Sequence, residues 1–305
     1  MCTEKNDTII GQNICNRMLS DSSGLYILGI SSESYKVLYY NFEQDSCSTI
    51  KISNGIELTS TITGIVKIYS SNFLFTGFER NSGNSKDIKV FTYNDSMLNS
   101  YSEPIVSSRL LISKTVQDID GNIYFIISNN SKNENEMRTY LVSLDKDLHL
   151  RYSTRDTQKE INLTIGNGIH IDSDKNMLVS GYTQDDQGLF IPKIIKLDSL
   201  GNLIWITTAG NNSINNDQGW GVWNEIISSH DNQHYIVVGS ESYKNTSGDT
   251  LIASALVSKL TLEGDLVWSE KYSFREAPNQ TICILNDIVK SSDNNYYISG
   301  NSMKF

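Results

Sequence analysis

Short apolar segments alternate with polar turns along the chain, and one pattern of this kind recurs. Each copy has an apolar segment, a turn rich in Asp, Asn, Ser and Gly, and a second apolar segment that usually ends in Gly. Segments this short predict β-strands joined by hairpin turns, because an amphipathic helix needs a longer periodic run. The copies span residues 18–29, 65–77, 116–128, 169–181, 226–239 and 288–300.

A second hairpin pattern follows each of the first five copies. The third strands are predicted to begin at Lys36, Ile88, Thr139, Lys193 and Leu256. The fourth strand carries an aromatic residue in most copies, and we expect it to wedge between neighbouring sheets, since an aromatic ring buries a large apolar area. These aromatic residues are Tyr101, Tyr152, Trp205 and Trp268. Each repeat therefore predicts four short antiparallel strands.

Repeats of roughly 50 to 60 residues with four strands each are typical of the blades of a β-propeller. The sequence predicts an all-β fold of about six four-stranded antiparallel blades. We expect a leading segment at 1–14 and a propeller over 15–305. The sixth repeat stops where its third strand should begin, so the last blade is expected to be incomplete. Either the sixth blade has only two strands, or the sequence is a fragment of a longer propeller. The expected repeats lie near 16–62, 63–112, 113–166, 167–223, 224–285 and 286–305.

The segment GNLIW at 201–205, followed by YIVVG at 235–239 and YISG at 297–300, resembles the propeller repeats of bacterial secreted and surface lipoproteins. Those repeats commonly place an acidic residue at the opening of the first strand, where this chain has Glu225 and Asp287. The resemblance implies a propeller exported to the periplasm or cell surface, and it implies no particular activity.

Cys2 directly precedes a polar stretch. It is expected to be the lipidated cysteine of a bacterial lipoprotein, with a chance cysteine as the alternative.

The composition excludes some partners. The chain has 25 basic and 35 acidic residues and a net charge of −10, which would repel a nucleic-acid backbone. No apolar run approaches the roughly 18 residues that a membrane-spanning helix needs. The four cysteines form no CxxC pair, so neither a zinc site nor a disulfide framework is predicted.

The binding face is predicted from loop length. In a propeller the loops between second and third strands share a face with the blade crossovers, and here these segments are long and irregular, as binding loops commonly are. The crossover at 215–225 contains two tryptophans beside polar residues, a combination that suits a glycan or peptide ligand. The alternative is that Trp223 packs beneath the next blade and Trp220 fills a loop, and the other candidates could be ordinary solvated loop residues. The candidate binding residues are Trp220, Trp223, Asp217, Tyr182, Tyr243 and Arg275.

No catalytic, metal or cofactor site is predicted. The histidines are scattered over different repeat positions, and none of the common nucleophile motifs occurs. The turns at 118–122 and 172–176 begin like calcium loops, but the bidentate Glu that should close such a loop is missing, so hairpin chemistry explains them better. His170 is expected to be a satisfied residue of a first strand.

Three functions remain open from the sequence. The leading hypothesis is a non-enzymatic binding or assembly module of an exported bacterial propeller, with a glycan, peptide or protein ligand on the long-loop face. One alternative is a glycan-acting hydrolase or lyase, because a propeller can assemble its active site from several blades without a linear motif. The other is a structural segment of a larger surface protein.

Overall fold

A computed structural model describes most of the chain between residues 14 and 304, and every regular element in the described part is a β-strand. None of the described residues forms a helix that could cross a membrane. The described residues are 14–20, 24–30, 35–41, 43–44, 46–52, 60–68, 72–80, 85–93, 100–106, 110–129, 138–154, 163–184, 190–208, 220–244, 251–272, 281–291 and 293–304.

The strands form consecutive antiparallel sheets, and strand order within each sheet follows the chain. The first sheet contains β1 (Ile14–Ser20), β2 (Gly24–Ile30), β3 (Tyr35–Asn41) and β4 (Ser46–Ile52). The second contains β5 (Ser60–Ile68), β6 (Asn72–Arg80), β7 (Ser85–Tyr93) and β8 (Ser100–Val106). The third contains β9 (Leu110–Gln117), β10 (Ile123–Asn129), β11 (Arg138–Leu144) and β12 (Leu150–Ser153).

Two further groups of strands complete the fold. The fourth sheet contains β13 (Ile165–Ile171), β14 (Met177–Gln184), β15 (Phe190–Leu197) and β16 (Leu203–Thr208). The fifth contains β17 (Trp220–Ser228), β18 (His234–Lys244), β19 (Leu251–Thr261) and β20 (Leu266–Tyr272). A hairpin of β21 (Thr281–Lys290) and β22 (Tyr296–Lys304) is linked to β19 by one parallel pairing, Ala253 with Ile282. These four-stranded antiparallel sheets confirm the all-β prediction.

The chain divides into two compact units, one of residues 1–123 with 144–151 and the other of 124–143 with 152–305. In the first unit, residues of β6 and β7 such as Leu74, Phe75 and Ile88 are fully buried. In the second, the fourth and fifth sheets enclose one apolar cluster, and the fifth sheet packs against β21 through another. The first of these clusters contains Leu178, Ile194, Trp223, Ile226, Tyr235, Val237, Leu256 and Leu260.

Carboxylates shape several of the hairpin turns. Asp118 accepts hydrogen bonds on Oδ1 from the backbone N–H groups of Asp120 and Asn122, and Asp172 does the same for Asp174 and Asn176. A side chain that bonds its own turn favours the tight hairpin over other conformations. Both carboxylates thus accept hydrogen bonds from their own turns, as expected if these segments are hairpin turns and not calcium loops.

First strands share one irregularity, a β-bulge at the same repeat position. In the second unit the register shifts between Gly166 and Gly168, between Trp223 and Glu225, and between Leu285 and Asp287. The extra residue in each case is an asparagine. A bulge lets one strand continue past a kink. The strand β17 therefore begins at Trp220, inside the segment that the sequence predicts to be a crossover. Glu225 consequently lies within the strand and is not its first residue.

Candidate functional site

The fourth and fifth sheets are held together along their first strands by the bulge asparagines. Asn167 Nδ2 donates to the backbone carbonyl of Trp223 at 3.1 Å and to Asn224 Oδ1 at 3.0 Å. Asn224 Nδ2 in turn donates to the carbonyl of Leu285 at 2.7 Å. The strand β17 is therefore fixed against β13 in one register, which determines which residues meet at the ends of these sheets.

Trp223 is fully buried in this interface and packs against Leu178 and Ile194 of the fourth sheet. Its indole Nε1 has no hydrogen-bond partner among the described residues, so apolar packing holds the ring in place. The position matches the packing alternative, and it corrects the expectation that Trp223 contacts a ligand, because a fully buried side chain is not accessible from solvent.

Tyr182 lies at the loop end of β14, on the edge where the sequence predicts binding. Its ring lies 4.6 Å from the ring of Phe190, centroid to centroid, at an angle of 47°. Both side chains are partly exposed, and Tyr182 pairs in register with Pro192 of β15. Burial raises the pKa of the Tyr182 phenol, so its hydroxyl stays protonated and able to donate a hydrogen bond near neutral pH.

The fifth sheet approaches Pro192, the register partner of Tyr182, through a glycine. A Cβ at Gly221 would lie 3.1 Å from Cγ of Pro192 and 3.0 Å from the Ser240 carbonyl oxygen, so glycine lets β17 pass close to the proline. Gly221 pairs in register with Glu241, whose carboxylate lies 2.6 Å from Nζ of Lys271. The aromatic pair and the ion pair are thus linked through two neighbours: Pro192, which pairs with Tyr182, lies close to Gly221, which pairs with Glu241. We call this set the loop-edge site: Tyr182, Phe190, Pro192, Gly221, Glu241 and Lys271.

The other predicted binding residues are placed only in part. Trp220 begins β17 opposite Ser242, and Tyr243 lies in β18 opposite Ile252, but their side chains are not among those described. Three further predicted residues lie outside the described part of the chain and stay predictions: Cys2 for lipidation, and Asp217 and Arg275 for binding.

A polar cluster is buried between the same two sheets, nearer their turns. Lys196 Nζ lies 3.2 Å from Asp172 Oδ2 and donates to the Tyr235 hydroxyl at 2.9 Å, and that hydroxyl donates to Asp172 Oδ2 at 2.8 Å. Burial raises the pKa of Tyr235, and its hydrogen bond to the carboxylate raises it further. Because all three side chains satisfy one another in a closed interior, the cluster fastens sheets and does not present a reactive group.

Burial alone would raise the pKa of Asp172, but hydrogen bonds from Asn176, Tyr235 and Lys196 outweigh it and hold the pKa below the ordinary 3.8. His170 is similarly committed, since its Nε2 accepts from the backbone N–H of Ser228 at 3.0 Å and lies 2.8 Å from the Ser228 hydroxyl. Neither residue is arranged for proton transfer to a ligand, and no cluster of metal-ligating side chains occurs within the described ranges.

Of the residues in the loop-edge site, only Tyr182 is named from the sequence, and its binding role stays a prediction. Phe190 begins β15 directly after the loop that follows β14 and Tyr182, so its closeness in sequence to a predicted residue was an available signal. The ion pair gives no such signal, because Glu241 and Lys271 are far apart in sequence and meet only through the pairing of β18, β19 and β20.

Comparison with known proteins adds evidence on the fold. No protein-family model matches the sequence, and no curated protein matches it. Among solved structures, the chain is similar to a glucose dehydrogenase, with a TM-score of 0.53 and 10% identity over 95% of this chain and 96% of that one. It is also similar to a protein of unknown function from Dyadobacter fermentans, with a TM-score of 0.51 and 11% identity over 80% of this chain and 76% of that one. At such identities the likeness concerns the fold alone, and together with the successive four-stranded antiparallel sheets it supports a β-propeller fold for this chain.

Proposed function

We propose that the chain is a binding module that recognises a glycan at the loop-edge site. The observation that carries the proposal is the partly exposed Tyr182–Phe190 pair on the fourth sheet, together with the Glu241–Lys271 ion pair on the fifth, which the Pro192–Gly221 approach links. An aromatic ring can stack on the apolar face of a sugar, while charged and hydroxyl groups bind its hydroxyls and fix its orientation. The phenol of Tyr182 supplies a donor on the aromatic side of the site.

Binding is favoured over catalysis by the environment of the acid and base groups. The buried carboxylate of Asp172 and the ring of His170 are occupied by partners that belong to the fold. Glu225 is also buried and accepts the backbone N–H of Ile226. A glycan-acting hydrolase or lyase stays the alternative function, but no described pair of carboxylates is set out for it.

The proposal includes export of the module, with Cys2 as the lipidated residue. Replacing Cys2 with Ser in the bacterial host, expressed with its natural upstream sequence, is expected to move the protein from the membrane fraction to the soluble fraction. An unchanged distribution between the two fractions would argue against the anchor and leave the sugar-binding proposal intact.

The binding proposal is tested with a glycan array followed by calorimetric titration of the sugars that bind. Tyr182→Ala and Phe190→Ala are expected to weaken binding about tenfold each, which corresponds to about 1.4 kcal/mol. Glu241→Gln keeps the side-chain shape and is expected to weaken binding less. The matched control is Tyr297→Ala, which removes an exposed tyrosine from β22.

The outcomes separate the alternatives. Equal binding by wild type and both aromatic variants would place the ligand elsewhere and overturn the loop-edge site. Selection of peptides but no sugar from the same chain would replace the glycan with a peptide ligand. Release of new reducing ends from a polysaccharide by the wild type would support the enzymatic alternative.

A further inference from the structure

Two lysines are buried in one strand, β15, on opposite faces of the fourth sheet. Lys193 and Lys196 each have 7% of their surface exposed. Ile194 belongs to the apolar cluster shared with the fifth sheet, and Lys196 donates to Tyr235 of that sheet. Because successive residues of a strand point to opposite faces, Lys193 lies on the face that is turned away from the fifth sheet.

The row of paired residues that contains Lys193 shows what lies on that face. Gly166 of β13 pairs with Gly181 of β14, and Gly181 pairs with Lys193. A Cβ at Gly166 would lie 2.8 Å from Cγ2 of Ile126 and 3.1 Å from Cγ2 of Thr139, so the row faces the third sheet. Neither the two glycines nor these methyl groups can compensate the charge of an ammonium group.

The two lysines differ in how their charge is compensated. Lys196 Nζ lies 3.2 Å from Asp172 Oδ2 and 2.9 Å from the Tyr235 hydroxyl. Within the part of the chain that the structure describes, no hydrogen bond or ion pair joins the Lys193 amine to another residue. Burial lowers the pKa of this amine below the ordinary 10.5, the direction opposite to the one that a nearby carboxylate would produce. Lys193 therefore holds a larger share of neutral amine than an exposed lysine does.

A buried lysine of this kind is a poor structural residue and a good nucleophile. Its ammonium form loses hydration without gaining a partner, which costs folding free energy. Its neutral form has a free lone pair on nitrogen, and desolvation in an apolar site is one of the ways in which proteins activate a lysine for attack on carbonyl compounds. Lys193 meets both conditions, whereas Lys196, equally buried and three residues away, meets neither.

We propose that the amine of Lys193 is a nucleophile that captures small aldehydes as a Schiff base. The neutral nitrogen attacks the carbonyl carbon, a proton moves from nitrogen to the carbonyl oxygen, and the resulting carbinolamine loses water to give the imine. The reaction needs no oxidant or reductant. Since burial favours the uncharged amine, an uncharged carbonyl compound fits the site better than an anion, which would need the ammonium form.

Reductive labelling of the 305-residue chain with glycolaldehyde and sodium cyanoborohydride tests the proposal. The cyanoborohydride reduces each imine to a stable secondary amine, and peptide mass spectrometry gives the labelling rate of each lysine. Near neutral pH we expect Lys193 to be labelled at least about tenfold faster than Lys196, because the two are equally buried and only Lys196 is paired. Lys146, exposed in a turn, supplies the reference for pH. The ratio of Lys193 to Lys146 labelling should rise as the pH is lowered from about 9 to about 7, because the neutral fraction of an ordinary lysine falls more steeply in this range.

A second measurement reports on the charge without any label. Lys193→Met keeps an unbranched apolar side chain and removes the amine, so the urea midpoint of unfolding should stay the same or rise. Lys196→Met is the matched control, because it leaves the carboxylate of Asp172 without its cation and should lower the midpoint. The Lys193→Met chain should keep the circular dichroism spectrum of the wild type and lose the fast adduct.

Three outcomes would overturn the proposal. The first is labelling of Lys193 no faster than that of Lys196, which would mean that the amine is shielded or paired. The second is a Lys193 rate that follows pH as the Lys146 rate does, since the amine would then have ordinary basicity. The third is a lower urea midpoint for Lys193→Met, which would reveal a carboxylate partner of the ammonium group. None of these measurements involves sugar binding at Tyr182, so the two proposals fail independently.

Discussion

At the scale of single residues, the strongest constraint is the buried cluster of Asp172, Lys196 and Tyr235. Removing one member of a buried ion pair leaves the other charge without compensation, which commonly destabilises a protein by about 3–5 kcal/mol. Asp198 offers a comparison, because its partly exposed carboxylate accepts from the Leu200 and Asn202 N–H groups in the same way and lies in a different turn.

The first prediction concerns Asp172→Ala. We expect it to lower the free energy of unfolding by about 3 kcal/mol, measured by urea denaturation, because it strands Lys196 in the interior. Asp198→Ala should lower it by only about 1 kcal/mol, the value of a turn hydrogen bond. Adding Lys196→Met to Asp172→Ala should recover part of the loss. Equal losses for the two aspartates would contradict the role assigned to Lys196.

Residue-level features were predictable from the sequence where they are local. The aromatic at the fourth strand packs between sheets as expected for Tyr152 and Trp205, because a large ring in a short strand has few other places to be buried. The Asp172–Lys196 pair was not predictable. It depends on the pairing of β14 with β15, and the segment around Lys196 looks like an ordinary alternating strand.

At the scale of elements, the bulge asparagines decide how first strands meet. A side chain at a bulge is displaced from the regular alternation of the strand, which frees its amide to reach the neighbouring strand. Asn224 is the central member, since it accepts from Asn167 and donates to Leu285. Its two roles can be separated by one substitution.

The second prediction concerns Asn224→Asp. The carboxylate still accepts from Asn167 but cannot donate to the Leu285 carbonyl, so the unfolding free energy should fall by about 1–3 kcal/mol. Hydrogen exchange should accelerate in β21 and β22 more than in β13. Asn286→Asp is the matched control, because Asn286 holds the same repeat position but is exposed. A similar effect of both substitutions would indicate a general charge effect and exclude a specific hydrogen bond.

The elements themselves were largely predictable, whereas their starting points were not. Turn residues and apolar alternation locate the centre of each strand, and the paired strands confirm the hairpins. The bulge interrupts the alternation at Asn224, so the sequence pattern assigns the apolar residues before it to a loop. This is the physical reason that Trp223 was grouped with loop residues while it belongs to the core.

At the scale of the whole molecule, the pKa values of several turn carboxylates are shifted in the same direction, below the ordinary value. Burial would raise the pKa of Asp145, but hydrogen bonds from His149 and Asp147 lower it overall. A hydrogen bond from Ser229 lowers the pKa of Asp231, and one from the Asn295 side chain lowers that of Asp293. With Asp172, turn carboxylates of both compact units thus have depressed values.

The third prediction follows from these shifts. A carboxylate with a depressed pKa in the folded state stabilises the fold above its unfolded value of about 3.9, and this contribution is lost as pH falls through the folded value. The urea midpoint should therefore be steady from about pH 7 to about pH 5 and fall below about pH 4. Asp172→Asn should flatten this dependence more than Asn replacements at the exposed turns. A midpoint that rises on acidification would contradict the assignment.

The successive four-stranded sheets were predictable because each repeat must bury its apolar faces against neighbours of the same kind. Of the loop-edge site only Tyr182 was named from the sequence, since the residues of this site come from different repeats and meet through inter-sheet packing. Length and composition of a loop indicate where a ligand could bind, but the aromatic pair and the ion pair depend on geometry that no linear motif encodes.

The asparagine contacts along β13, β17 and β21 all run in one direction, from each first strand to the one that follows it. Such a polar linkage has a donor end and an acceptor end, and the repeat that contains Asn224 carries both. A duplicated repeat of this kind would thus contain its own bulge asparagine as donor, and the next first strand would already supply the backbone carbonyl that accepts from it. Adding or removing a whole repeat therefore preserves these hydrogen bonds between first strands, whereas exchanging an isolated strand does not.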